Sequence, residues 1–199
     1  MKIIANPKNV EKIRKSYNRI VSNCEKPLGN EIENMPIIVT DNISAQNVYS
    51  DPYNLFQKAF NESFGCVKGN IKYENEYFHL IVLNIDNIEE FELSEIEFDG
   101  IFSHELGHIF NENPKVEIPS VLNGHAQYEV NEAKHINLIN SELYSDFFSK
   151  KTKCSQGLIS SIQKFMLSKK CQNKKLFNKR LENLESDQIL EGFPKILIK

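Results

Sequence analysis

The sequence predicts an α+β fold in which a small antiparallel or mixed sheet packs against several helices. The apolar run "MPIIVT" (35–40) follows a turn-rich stretch and is typical of a short buried strand. The stretch "VKGNIKYENEYFHLIVLNID" (67–86) is typical of strands joined by tight turns, with the strongest strand signal at Phe78 to Leu83. Helical periodicity dominates after residue 95, and strands followed by helices are typical of α+β proteins.

The predicted helices have local start and stop signals. Apolar residues at helical spacing predict an amphipathic helix over 7–24 that begins near Pro7. Asp51-Pro52 predicts the start of a helix that stops at Gly65. The remaining predicted helices are one that starts near 95 at a Ser94/Glu97 capping box, one over about 127–152, and one or two after Ser155.

Length and composition predict one domain over 1–199, with a core at about 35–153 between a helical N-terminal and a helical C-terminal segment. A formal net charge of −3 gives no indication of a nucleic acid or a membrane as partner. We expect the Lys/Arg-rich segment 169–180 to form a solvated face. The absence of an apolar leader or of eighteen consecutive apolar residues predicts a soluble, cytoplasmic protein. Four scattered cysteines without a CxxC pair predict reduced thiols.

The strongest chemical signal is His-Glu-Leu-Gly-His within "GIFSHELGHIF" (100–110). On a helix, His104 and His108 stand one above the other, so both imidazoles can reach one cation at about 2.0–2.1 Å. Glu105 points sideways, where it can hold a metal-bound water. Gly107 costs roughly 1 kcal/mol inside a helix, which a close approach by another segment or a ligand would explain.

The helix that carries this motif is predicted to be amphipathic. Its core-facing stripe consists of Phe98, Phe102, Leu106, Ile109 and Phe110. The two histidines lie on a different face and are not expected in the core. The alternative to a metal site is therefore a solvated helix face on which two histidines make ordinary hydrogen bonds.

A catalytic zinc needs a third protein ligand, and "NENPKVEIPS" after the motif contains no histidine. In "NSELYSDFFSKK", Glu142 and Asp146 are four residues apart on one face of the next long helix. Glu142 can complete the coordination when the two helices pack side by side, and Asp146 can accept the second ring N–H of His104. Glu129 and Glu132, nearer the start of that helix, are rival ligands.

The HExxH helix followed by Glu-x-x-x-Asp resembles the gluzincin branch of zinc metallopeptidases. Within it, "IFSHELGHIF" followed by "ELYSDFFSKK" is similar to compact bacterial and phage-borne proteins of the ImmA/IrrE kind, over about residues 65–150. Ser145 and Ser149 replace that family's usual alanines, and the Met-Pro pair that ends the family's motif is missing. The resemblance implies a zincin-like fold, a zinc ion, and a hairpin near "YFHLIVLNID" whose edge strand would hold substrate.

The preferred function is zinc-dependent peptide-bond hydrolysis, with Glu105 as general base. The peptide or protein substrate is expected to lie extended along a free edge of the Phe78 to Leu83 strand. Three residues are considered as substrate or oxyanion donors: His125, Tyr128 and His135. Each of them alone is more typical of a surface residue. One alternative is a non-catalytic or regulatory metal-binding module, which does not need Glu105, and another is a structural protein without metal.

Overall fold

The computed structural model describes residues 1–50, 63–110, 141–171 and 173–186. The strands are β1 (Lys2–Ile3), β2 (Ile37–Asp41), β3 (Gly65–Tyr73) and β4 (Glu76–Leu83). A single 3-10 turn spans Ala45–Asn47. The helices are α1 (Pro7–Asn23), α2 (Lys26–Asn34), α3 (Ile85–Glu90), α4 (Glu95–Phe110), α5 (141–151), α6 (Ser155–Met166) and α7 (Lys174–Glu185).

Most elements predicted within these ranges are present. The α1 helix matches the predicted 7–24 segment, and two helices follow Ser155. The short helices α2 and α3 were not predicted, because neither spans enough turns to show a clear period. Most of the helix predicted from Asp51-Pro52 to Gly65 lies outside the described residues, and Gly65 itself begins β3. Most of the helix predicted over 127–152 also lies outside them.

The four described strands form a mixed sheet in the order β1-β2-β4-β3. β2 pairs in parallel with both β1 and β4, whereas β3 and β4 form an antiparallel hairpin. The hairpin turns at Glu74 and Asn75, which both have positive φ, 49° and 68°. The α+β class is confirmed.

The prediction that the Phe78–Leu83 strand offers a free edge is wrong. Ile81 of β4 pairs with Val39 of β2 on one side and with Val67 of β3 on the other. Leu80 to Leu83 are all fully buried, as is typical of a central strand covered on both faces. Among the described strands, β3 is the outer neighbour of β4.

The main core lies between the sheet and the helices α1 and α4. It contains Ile13 and Ile20 of α1, Val39 and Ile81 of the sheet, and Phe98, Phe102 and Leu106 of α4. All four cysteines are free thiols. In the part of the chain that the structure describes, no helix is long and apolar enough to cross a membrane.

The prediction that α4 is amphipathic is also wrong, because every residue from Glu97 to Gly107 is buried. α5 covers the side opposite the apolar stripe. A Cβ added at Gly107 would lie 2.7 Å from Cα of Ser145 and 2.9 Å from Cβ of Phe148. Of the two explanations that the sequence offers for this glycine, another segment or a ligand, the structure shows the close approach of another segment. This approach places the histidine face in the protein interior.

Candidate metal centre

The N-terminal end of α4 is fixed by the predicted capping box. The Ser94 backbone N–H donates to Oε2 of Glu97 at 2.7 Å, and the Glu97 N–H donates to the Ser94 hydroxyl at 3.3 Å. One turn further on, Arg19 of α1 makes two bonds to the Asp99 carboxylate, at 2.7 and 2.8 Å. These contacts set the start and the direction of the helix that carries both histidines.

His104, His108 and Glu142 form one group. The Nε2 atoms of the two histidines are 3.1 Å apart. Glu142, on α5, has Oε2 at 3.3 Å from Nε2 of His104 and Oε1 at 3.3 Å from Nε2 of His108. The structure thus brings the three predicted ligands to one point in space, although 38 residues separate the first from the last.

The separations within this group fit a metal ion. Four ligands at about 2.0–2.1 Å from a tetrahedral ion lie about 3.3–3.4 Å from one another. The three measured separations are 3.1, 3.3 and 3.3 Å. Each residue offers one donor atom, all within 4.8 Å of one another, so the group can hold a metal ion.

The other ring nitrogen of each histidine also has a partner. Nδ1 of His104 lies 2.9 Å from Oδ1 of Asp146, whose side chain is fully buried. Nδ1 of His108 lies 3.1 Å from the Ser141 hydroxyl. With Nδ1 engaged in this way, Nε2 of each ring is directed at Glu142 and at the other ring.

Arg180 is a member of this site that sequence reasoning missed. It was grouped with the lysines of 169–180 as solvated surface, but its side chain is only 8% exposed. Its guanidinium contacts Glu142 at 2.9 Å and Asp146 at 2.8 Å. The signal was its position in α7, where Leu176, Phe177, Arg180 and Leu184 recur at helical spacing and so place the arginine on the apolar face.

The charges of the group shift its pKa values. Burial and the nearby Arg180 both lower the pKa of His104, but the hydrogen bonds to Asp146 and Glu142 outweigh them and raise this pKa to about 9. Burial opposes ionisation of both carboxylates, yet Arg180 and His104 hold the pKa of Glu142 well below its usual value and lower that of Asp146. Both acids are therefore carboxylates at neutral pH, as metal binding requires.

Glu105 lies beside this group without an ionic partner. It is 6% exposed, and among the described residues its carboxylate makes no hydrogen bond or ion pair. Burial raises the pKa of Glu105, against the opposing effect of the nearby histidines. Gly65, the first residue of β3, leaves room for it, since a Cβ there would lie 3.0 Å from the Glu105 carboxyl carbon.

A cavity of about 770 Å³ opens next to these residues. One wall consists of His104, Glu105, His108, Glu142 and Arg180. Facing it are apolar side chains that include Phe64, Leu158, Ile162, Phe165 and Phe177. The cavity therefore places the charged and metal-ligating side chains next to a mostly apolar surface. This combination is typical of sites that bind a small molecule or a substrate side chain.

The remaining predicted site residues lie outside the described residues. They are the proposed donors His125, Tyr128 and His135 and the rival ligands Glu129 and Glu132. Their predicted roles stay predictions.

A scan against protein-family models, a search of curated proteins and a search of solved structures find no match to this chain. The chemistry of the centre follows from its own geometry.

Proposed function

We propose that the protein is a zinc-dependent peptidase in which His104, His108 and Glu142 hold the ion. The observation that carries this proposal is the set of donor separations, 3.1 to 3.3 Å, which fits a tetrahedral ion. Two imidazole nitrogens and one carboxylate favour zinc over magnesium or calcium, because the latter two prefer oxygen ligands. Three protein ligands are also the number typical of a catalytic zinc site.

Zinc bound here would lower the pKa of a water molecule toward 7 and polarise the substrate carbonyl. Glu105 is the proposed general base. Its carboxylate accepts a proton from the attacking water and then donates it to the leaving nitrogen. The raised pKa of Glu105 suits this exchange. A group that both takes and gives a proton works best when its pKa is shifted toward the working pH.

The proposed substrate is an extended peptide segment bound along β3. Among the described strands, β3 has a neighbour on one side only, and its first residue, Gly65, covers Glu105. Backbone hydrogen bonds to such a strand hold a peptide extended, while the apolar side of the cavity receives one of its side chains. This assignment moves the substrate from β4 to β3.

The first test is the metal content of protein purified without chelator, measured by elemental analysis. We expect close to one zinc per chain in the wild type and none in a His104→Ala/His108→Ala double variant. Unchanged zinc in the double variant, or none in the wild type, would end the proposal.

A second test addresses the third ligand. Glu142→Ala should lose zinc, whereas Glu129→Ala and Glu132→Ala should keep it, because Glu142 is the carboxylate that faces both histidines. Loss of zinc in Glu132→Ala together with retention in Glu142→Ala would assign the ligand to the earlier part of the helix instead.

A further inference from the structure

Arg180 connects α7 to the metal group through two carboxylates at once. Nη1 lies 2.9 Å from Oε2 of Glu142. Nη2 and Nε bond the two oxygens of Asp146, at 2.8 and 3.0 Å. The planar guanidinium thus uses one edge for Asp146 and its remaining nitrogen for Glu142, which a single ammonium cannot do.

These two carboxylates have different tasks in the centre. Oε1 of Glu142 faces His108, and Oε2, which faces His104, is also the oxygen that Arg180 contacts. Nη2 of Arg180 also lies 3.3 Å from each ring nitrogen of His104. Asp146 orients the ring of His104 through Nδ1. One side chain on α7 therefore holds both the third ligand and the partner of the first ligand.

We propose that Arg180 is a positioning residue of the metal centre, which fixes Glu142 and Asp146 so that the ligands are in place before the ion enters. This inference rests on the proposed zinc site. It makes α7, 76 residues away from His104 in sequence, part of the centre.

The opposite role for Arg180 is that of a competitor, a cation that only neutralises the acids of a metal-free site. The two roles predict opposite effects on zinc binding. A competing cation repels zinc and occupies Glu142, so its removal would strengthen zinc binding. A positioning residue prepares the ligands, and loss of such a partner typically costs ten- to a hundredfold in metal affinity.

The chain offers a matched control for the docking of α7. Asn183, one turn after Arg180 and also buried, donates from Nδ2 to the Leu143 carbonyl at 3.3 Å. Asn183→Ala removes a contact between α7 and α5 but no contact with the metal group. It separates loss of helix docking from loss of the guanidinium.

The experiment compares zinc affinity, by competition with a chromophoric chelator, in the wild type and in Arg180→Met, Arg180→Lys and Asn183→Ala. We expect a ten- to hundredfold weaker affinity in Arg180→Met and about tenfold weaker in Arg180→Lys, with Asn183→Ala within about threefold of the wild type. The absorption spectrum of the cobalt-substituted protein should change in the two Arg180 variants only, because their ligand geometry changes.

Equal or tighter zinc binding in Arg180→Met overturns the inference while leaving the zinc site itself intact. If Arg180→Met does not fold, Arg180→Lys decides, and an affinity equal to that of the wild type overturns it. An equal loss in Asn183→Ala also overturns it, since helix docking alone would then explain the effect. A wild type without zinc would end the proposed function and this inference together.

Discussion

Two glutamates on α4, eight residues apart, are buried to nearly the same degree but differ in their hydrogen bonds. Glu97 is 5% exposed and Glu105 is 6% exposed. The carboxylate of Glu97 accepts hydrogen bonds from the Ser94 N–H, the Ser160 hydroxyl and Lys164, at 2.7, 2.6 and 2.8 Å. Glu105 accepts none from any described residue.

Their pKa values move in opposite directions as a result. Burial opposes ionisation at both positions, but the bonds from Lys164, Ser160 and Ser94 bring the pKa of Glu97 down to about 2. Burial raises the pKa of Glu105. Donor groups, rather than burial, thus decide whether a buried acid is a fixed structural anion or a group that can exchange a proton.

The largest effect that follows is on hydrolysis. Glu105→Gln should keep zinc and fold but lose peptide hydrolysis by at least about 10²-fold, because the base is gone while size and polarity remain. Cleavage of unstructured protein mixtures, read by mass spectrometry, is the measurement. Glu97→Gln, tested below its unfolding temperature, is the matched control and should cleave normally.

Identical products at identical rates from wild type and Glu105→Gln would mean that the activity is a contaminant or that Glu105 is not the base. Absence of cleavage by both, with equal binding of a partner protein, would favour the non-catalytic module.

The second effect is on stability, and here the substitution of Glu97 has the larger effect. Glu97→Gln should lower the free energy of unfolding by roughly 2–3 kcal/mol at pH 7, while Glu105→Gln should leave it unchanged or raise it. Because the pKa of Glu97 is lowered to about 2, its stabilisation is present above about pH 4.5 and is lost as the pH falls toward 2. Urea unfolding of both variants at pH 7 and pH 3 measures this, and a destabilisation by Glu97→Gln that is equal at both pH values would contradict it.

The third effect is the pH dependence of zinc affinity at the histidine end of the helix. His104 must be neutral to bind zinc, and its pKa in the metal-free protein is raised to about 9. Between about pH 7 and 9 His104 releases one proton for each zinc ion that binds, so affinity should rise about tenfold per pH unit over this range. Calorimetry in buffers of different ionisation enthalpy measures the proton release, and an affinity that does not change between pH 7 and 8.5 would contradict the prediction.

The smallest effect concerns the pair Arg19–Asp99 at the other end of α4. The Arg19 side chain is 35% exposed, so water weakens the pair, and Arg19→Met should cost only about 1 kcal/mol. Zinc content should not change. A thermal unfolding curve together with elemental analysis tests both statements, and loss of zinc would show that the two ends of the helix are coupled.

The sequence predicted the parts of the site that depend on spacing along one helix. The i,i+4 relation of His104 and His108, and that of Glu142 and Asp146, are local properties of a helix and can be seen without a structure. The capping box of Ser94 is equally local, which explains why α4 begins at Glu95, close to the predicted start near 95.

The predictions that the structure contradicts depend on which helices and strands pack side by side. β4 carries the strongest strand signal because it is central, and for the same reason it has no free edge in the described sheet. The spacing of α4 alone predicts one exposed face, because it does not show that α5 packs against Gly107. The acidic partners of Arg180 lie 34 or more residues away, and only the fold brings them together.

The order in which the residues of the metal centre are synthesised has a consequence for the nascent chain. His104, His108 and Glu142 all precede Arg180 in the chain, and 38 residues separate Glu142 from Arg180. At a synthesis rate of about 5–20 residues per second, this interval lasts roughly 2–8 s. During that time the nascent chain carries both histidines and both acids of the centre but not the cation that neutralises the acids. Completion of the centre thus waits until α7 has been synthesised.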